Sequence, residues 1–196
     1  MYRSIAEIVA QKITAAITRA HADTRQVVAL IDPYNPIGST AHVNFTTSKT
    51  ERYRTRADRC HVNWAILDSN WEGEFCRIVE DHPRVLAYVK NHNLGFEVPY
   101  LFAGEPHVYR PDYICLIDDG SGPDDPLHLV VEISGFGNHQ RDERRATMAN
   151  QWVPGINYAR NFGRWAFAEL TDVHAIREDL NGAIRADLER ILGGAR

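Results

Sequence analysis

The strongest constraint on the fold is a pair of β-prone runs that flank a turn rich in glycine, proline and aspartate. The first run covers residues 109–114, the turn covers residues 118–126, and the second run covers residues 127–135. This strand–turn–strand pattern predicts an antiparallel hairpin. The second run is apolar at most positions, odd and even alike, so we expect its strand to be buried on both faces.

The register of this hairpin brings two acids together. If the chain folds about Gly122, Asp112 and Glu132 are equidistant from the turn and lie opposite each other. Directly opposed residues have Cβ atoms about 5 Å apart. Glu132 and Ser134 then share one face of the second strand. Because a buried carboxylate without partners is costly, Glu132 within an apolar run favours a paired-acid site. The alternative is that Asp112 only begins a strand and Glu132 is solvated.

A pair of carboxylates has a specific use in phosphate chemistry. Mg²⁺ prefers oxygen ligands and needs few carboxylates, so Asp112, Glu132 and the backbone carbonyl of Ile133 would suit it, and Mn²⁺ is also possible. Phosphodiester cleavage uses such an ion to neutralise the phosphate and to generate hydroxide. This chemistry favours a lysine two residues after the second acid, where the chain has Ser134.

Composition is that of a soluble globular protein, with 44% hydrophobic and 24% charged residues among 196. We expect one domain over residues 1–196, with its core at about 43–170. Three cysteines without paired spacing argue against a disulfide scaffold and favour a cytoplasmic protein. No stretch is long and apolar enough to predict a membrane span.

The net charge of −4 does not by itself indicate a nucleic-acid binder, but cations are clustered. Residues 49–59 hold five cations against two anions, and residues 141–145 hold three against two. Either segment could contact phosphates, or could be a solvated loop and a solvated helix face. The candidates for DNA contact are Arg52, Arg54, Arg56, Arg144 and Arg145. None of the three lysines stands in a P-loop motif, which excludes a P-loop ATPase within this chain.

The order of predicted elements indicates an α/β fold in which a mixed β-sheet with a central antiparallel hairpin is flanked by helices. Capping and periodicity predict four helices, and the third ends at Pro154. A short strand is expected at 165–170. The predicted helices cover residues 4–20, 69–80, 140–153 and 173–192.

The Pro111-Asp112 pair followed by Glu132-x-Ser134 resembles the core of PD-(D/E)xK nucleases. The surrounding sequence, over about residues 43–170, resembles the C-terminal nuclease domain of type III restriction enzymes. The matching blocks are Asp-Ser-Asn-Trp-Glu at 68–72, Tyr-Val-Lys-Asn at 88–91, Leu-Gly-Phe-Glu-Val-Pro-Tyr at 94–100, Tyr-Arg-Pro-Asp-Tyr-Ile at 109–114, Trp-Val-Pro-Gly-Ile-Asn at 152–157 and Phe-Gly-Arg-Trp-Ala-Phe at 162–167.

This resemblance implies a restriction-endonuclease-like fold and Mg²⁺-dependent cleavage of double-stranded DNA. It also implies two partners outside this chain, an ATP-dependent translocase segment and a modification subunit. Asp112 and Glu132 would be metal ligands, and Glu72 would complete the site. Glu72 has an alternative role, because Ser69 and Glu72 also form a capping box. Lys90 matches a family lysine that makes either a DNA-backbone contact or a structural contact.

Ser134 departs from the family, which has lysine there to orient the attacking water. The loss of a positioned cation costs orders of magnitude in rate. The site is naturally degenerate, was silenced by substitution, or uses another cation. Arg145 is the best substitute, because helical spacing places it on the inward side with Ala149 and Trp152. The leading hypothesis is an impaired endonuclease domain. The alternatives are a non-catalytic DNA- or protein-binding module, and a nuclease of different specificity.

Overall fold

The computed structural model describes residues 38–134, 139–172 and 174–193. The helix predicted at residues 4–20 lies outside these ranges. The elements in chain order are a short 3₁₀ helix Thr40–His42, β1 Arg52–Arg54, β2 Trp64–Ile66, α1 Asn70–Asp81, β3 Val85–Lys90, β4 Val98–Phe102, β5 Glu105–Tyr109, β6 Tyr113–Ile117, β7 Leu127–Ile133, α2 His139–Thr147, a π turn Met148–Trp152, α3 Val153–Ala159, β8 Arg164–Leu170 and α4 Ile176–Gly193.

The central sheet has four strands in the order β3-β6-β7-β8. The β3–β6 and β6–β7 pairs are antiparallel, whereas β7 and β8 are parallel. A parallel pair needs a long crossover, which here runs through α2 and α3. Two further pairs, β1–β2 and β4–β5, form separate two-stranded sheets. The prediction of a mixed α/β architecture is therefore confirmed.

The predicted register of the central hairpin is also confirmed. Tyr113 pairs with Val131, and both are nine residues from Gly122. Gly122 has a φ of 121°, which favours glycine over any residue with a Cβ. The ladder ends one position short of Asp112 and Glu132. Those two acids therefore lie just beyond the last β6–β7 pair, at the open end of the hairpin, although Glu132 still pairs with β8 on its other side.

Helices cover both faces of the sheet. One face packs against α1 and α4 through a core that includes Phe75, Val79, Tyr113, Val131 and Leu180. The other face packs through Val130 against Met148 and Val153 of the α2–α3 segment, together with residues of β4 and β5. As predicted, β7 is buried on both sides, because its odd-numbered residues enter the first core and Val130 enters the second.

The α2–α3 segment differs from the prediction. The helix does not stop at Pro154 but continues through the π turn Met148–Trp152 into α3. Pro154 lies in the first turn of α3, where its missing N–H costs little. The prediction that Arg145 lies on the inward side of the helix is wrong, because its side chain is 59% exposed. The i→i+5 spacing of the π turn is wider than that of an α-helix and shifts the helical phase by about one residue, so that Arg144 points inward instead.

The last predicted helix, 173–192, is observed as α4 from Ile176, with residue 173 outside the described ranges. Its apolar residues Ile176, Leu180 and Ile184 enter the first core. Among the helices in the described part of the chain, none has the length and apolar character required to cross a membrane.

Candidate active site

The two predicted acids lie together at one end of the central sheet. Asp112 immediately precedes β6, and Glu132 is the penultimate residue of β7. The Asp112 carboxylate accepts a hydrogen bond from the Ile133 N–H at 2.7 Å, which fixes it beside the end of β7. The Asp112 and Glu132 side chains are 21% and 12% exposed. The site is therefore largely desolvated but still reachable from solvent.

Glu132 has one close donor and one more distant cation. The Tyr109 hydroxyl donates to its Oε2 atom at 2.7 Å. The Arg144 Nη1 atom lies 3.7 Å from its Oε1 atom, and the guanidinium carbon of Arg144 lies 5.2 Å from the centre of the Tyr109 ring. Glu132 also pairs in register with Glu169 of the parallel strand β8. Two further acids, Asp112 and Glu169, therefore flank this glutamate.

This crowding of acids changes their protonation. Burial, reinforced by the charge of Asp112, raises the pKa of Glu132 to about 7. Burial also raises the pKa of Asp112 to about 6, against the opposing effects of the Ile133 N–H and Lys90. Perturbed carboxylates in a partly open position are typical of functional sites. A cation bound between these two acids would relieve both the burial cost and the repulsion.

Lys90 and Glu72 form a second group of charges on the α1 side of Asp112. The Lys90 ammonium lies 2.5 Å from Glu72 Oε2, 3.3 Å from Asp68 Oδ2 and 3.9 Å from Asp112 Oδ1. Its side chain is only 6% exposed. Of the two roles considered for Lys90, this placement favours a contact inside the protein over a contact with the DNA backbone.

The capping role predicted for Glu72 is confirmed in part, and its role in a metal site stays a prediction. Ser69 caps α1 by accepting a hydrogen bond from the Glu72 N–H at 3.4 Å, although the Glu72 carboxylate accepts from the N–H of Asp68 instead of Ser69. The same carboxylate contacts Lys90, so capping and the charged cluster use one side chain. Glu74, the next acid along α1, is more exposed than Glu72 and pairs with Arg77.

The side chain of Ser134 belongs to a small network of polar contacts around Glu169. The Ser134 hydroxyl donates to Glu169 Oε1 at 3.0 Å, and Arg141 Nε donates to the same oxygen at 2.5 Å. Arg145 Nη1 is 4.0 Å from the other oxygen of Glu169. Ser134, Arg141 and Arg145 therefore all interact with Glu169 near the position where the family has lysine. The third arginine of α2, Arg144, lies near Glu132 instead.

Sequence reasoning assigned no role to Glu169, Asp68, Arg141 or the Tyr109 hydroxyl. Glu169 carries the signal that identified Glu132, because it also interrupts an apolar β-strand and is buried. Asp68 and Tyr109 stand beside predicted site residues, but no spacing rule indicates which atoms they contact. The direction in which Arg141 points depends on the rotation of α2 about its axis, which the π turn determines.

The three candidate arginines of the basic segment differ in their surroundings. Arg52 and Arg54 are exposed, and their guanidinium carbons lie 4.7 and 5.5 Å from the centre of the Trp64 ring. Arg56 is instead tied to Asp58 by two hydrogen bonds and donates to the Glu80 carbonyl. Arg52 and Arg54 therefore remain candidates for phosphate contact, whereas Arg56 is occupied by the protein itself.

The donor set fits a hard divalent cation. Asp112 and Glu132 offer carboxylate oxygens, and the carbonyl of Ile133 lies on the same strand end as Glu132. Within the described residues, no group of three or more His, Cys, Asp and Glu side chains is arranged to hold a metal. Mg²⁺ characteristically uses one or two carboxylates and retains several waters, so an arrangement of two carboxylates is compatible with it.

Comparison of the chain with protein families, with characterised proteins and with solved structures gave no match.

Proposed function

We propose that this chain is a Mg²⁺-dependent endonuclease domain that cleaves double-stranded DNA. The observation that supports this proposal best is the adjacency of Asp112 and Glu132, two buried acids with raised pKa values at one end of the sheet. Each acid accepts one close hydrogen bond, Asp112 from the Ile133 N–H and Glu132 from the Tyr109 hydroxyl, but their charges repel each other. A bound divalent cation would give the two acids a shared partner of opposite charge.

In this proposal, the Asp112 and Glu132 carboxylates and the Ile133 carbonyl hold the cation. When bound, Mg²⁺ or Mn²⁺ would supply charge neutralisation at the phosphate and acidify a water molecule. The Ile133 N–H orients Asp112, and the Tyr109 hydroxyl orients Glu132. Arg144, which is 30% exposed beside Glu132, is placed to contact a phosphate oxygen. Arg52 and Arg54 would hold the DNA backbone further away.

The more specific proposal is that the domain has a restriction-endonuclease-like fold and belongs with type III restriction enzymes. Support comes from the sequence blocks and from a mixed sheet whose hairpin carries both acids. On this proposal, the chain works with an ATP-dependent translocase segment and a modification subunit. Recognition of a DNA sequence would then belong to the modification subunit.

One observation favours a non-catalytic alternative. Ser134, at the position of the expected lysine, donates to Glu169 and contributes no charge to the acid pair. A nuclease site without its water-orienting cation could bind metal and DNA without cutting, and would then be a DNA- or protein-binding module. The two functions make different predictions for cleavage but the same prediction for metal binding.

A paired experiment tests the proposal. Calorimetry with Mg²⁺ or Mn²⁺ should detect binding to the unmodified chain and its loss in Asp112→Ala. Incubation with plasmid DNA and the same ion should produce nicked or linear products. Metal binding without products, in both the unmodified chain and Ser134→Lys, would favour the non-catalytic module. Unchanged metal binding by Asp112→Ala would remove Asp112 as a ligand.

A further inference from the structure

The Lys90 ammonium has an unusual environment for a lysine. Three carboxylates surround it, those of Glu72, Asp68 and Asp112, at 2.5, 3.3 and 3.9 Å. They come from three separate parts of the chain, namely α1, the loop before it and the start of β6. Oxygen ligands converging on one buried point are what a divalent cation requires, and here a lysine nitrogen occupies that point.

Burial explains why this point must hold a positive charge. The Lys90 side chain is 6% exposed and that of Glu72 is 4% exposed, so neither can be solvated well by water. A buried carboxylate left without its cation is strongly unfavourable. Lysine suits the position because its ammonium is a compact point charge on a flexible stem. The Tyr113 ring, with its centre 5.2 Å away, provides further support for the cation.

The charges on the two sides of Asp112 are balanced differently. On the α1 side, Lys90 contacts Glu72, and Asp68 contacts both Lys90 and Lys49. On the other side, Arg144 lies 3.7 Å from Glu132, whereas Arg141 and Arg145 pair with the neighbouring acid Glu169. The α1 side therefore has a cation in close contact with its acids, whereas Asp112 and Glu132 have none closer than 3.7 Å among the described residues.

We propose that the Lys90 ammonium takes the place of a second divalent cation, so that Asp68, Glu72 and Asp112 are arranged around the ammonium and not around a metal while Lys90 is present. The acid cluster then takes a single divalent ion, on the Asp112–Glu132 side. The binding of one ion by the unmodified chain rests on the proposed function. The binding of an additional ion after the Lys90 ammonium is removed does not. Lysine thus acts as a built-in cation that makes one of two positions independent of metal concentration.

The test is a comparison of metal stoichiometry in three proteins. Calorimetry with Mn²⁺ is expected to give one ion for the unmodified chain and two ions for Lys90→Ala, which removes the ammonium and leaves its place open. Lys49→Ala is the matched control, because Lys49 also contacts Asp68 but is 48% exposed and touches only the edge of the cluster. This control should bind one ion, like the unmodified chain. Nuclease activity plays no part in the measurement.

Each outcome is decisive. Equal stoichiometry in Lys90→Ala and the unmodified chain would overturn the inference, as would two ions in the unmodified chain. No binding by the unmodified chain together with one ion in Lys90→Ala would instead reject the proposed function and keep the inference. If Lys90→Ala unfolds at lower temperature, Mn²⁺ should raise its Tm by more than that of the unmodified chain. The absence of this larger rise would also overturn the inference.

Discussion

Two buried glutamates of this protein have opposite surroundings. Glu80 of α1 is 3% exposed and accepts hydrogen bonds from the Tyr53 hydroxyl at 2.9 Å, the Tyr88 hydroxyl at 2.9 Å and the Arg56 N–H at 2.7 Å. Glu132 of β7 is 9% exposed, yet it has one close donor and lies beside other acids. Burial alone therefore does not distinguish a carboxylate whose oxygens are fully hydrogen-bonded from one that lies among other acids.

The difference lies in what the neighbours offer. Glu80 is surrounded by neutral donors from β1, β3 and the following loop, which satisfy its oxygens and tie those segments to α1. Burial and acidic neighbours that repel its charge raise the pKa of Glu132. The first arrangement stabilises the folded chain, whereas the second stores unfavourable energy that a bound cation would release. The following predictions test this contrast.

The largest expected effect is on DNA cleavage. Asp112→Asn should reduce Mg²⁺-dependent cleavage by at least about 100-fold, because a neutral amide is a poor ligand for a hard cation. Glu80→Gln should leave cleavage per folded molecule unchanged, because Glu80 belongs to the other arrangement. Rates measured on plasmid DNA, corrected for the folded fraction, provide the comparison. Equal losses in the two variants would refute the assignment of separate roles.

The next effect concerns stability, and the two glutamates should respond with opposite signs. Glu80→Gln should lower the free energy of unfolding by about 1–3 kcal/mol, because an amide N–H₂ group would face hydrogen-bond donors. Glu132→Gln should raise the free energy of unfolding by about 1 kcal/mol or more at pH 8 without divalent ions, because it removes a repelled charge. Urea unfolding of both variants measures these changes. A loss of stability in Glu132→Gln would contradict the contrast.

The pH dependence of stability should reveal the same stored energy. As the pH rises above about 4, ordinary carboxyls of the unfolded chain lose protons, whereas Asp112 and Glu132 keep theirs until about pH 6 and about pH 7. The folded chain then binds more protons than the unfolded chain, so this pair destabilises the fold progressively across that window. Each of the two pKa values is raised by about two units, and one unit corresponds to about 1.4 kcal/mol, so the loss should be on the order of 6 kcal/mol.

Thermal unfolding from pH 4 to 8 measures this dependence, with Asp112→Asn combined with Glu132→Gln as the control. The double variant should lose less stability than the unmodified chain as the pH rises. If the two proteins give parallel curves, the raised pKa values are wrong.

The smallest expected effect is that of Ser134→Ala. This change removes one hydrogen bond to Glu169, which retains Arg141, so the free energy of unfolding should fall by about 1 kcal/mol or less. Cleavage should change by less than about threefold, because Ser134 brings no charge to the acids. Melting temperature and plasmid cleavage measure both quantities. A large loss of cleavage with normal stability would show that the Ser134 hydroxyl acts in the reaction.

The Asp112–Glu132 pairing could be predicted from sequence because antiparallel register is determined by a turn position and a period of two. The Ser69 cap of α1 can also be predicted from sequence, since capping depends on neighbouring residues. The position of Lys90 among Glu72, Asp68 and Asp112 cannot, because it depends on how closely α1 packs against β3. Glu169 joins the site only through the parallel pairing of β8, which no local pattern specifies.

The π turn Met148–Trp152 has an evolutionary consequence. A helix with one residue fewer at this place returns to ordinary α geometry, and the lost residue compensates for the lost wide turn, so α2 keeps its rotation relative to α3. Arg144 would then still face Glu132, and Arg145 would still face solvent. A single-codon deletion in this turn should therefore leave both arginines in place. Homologues that lack this residue would carry their inward arginine one residue closer to the proline.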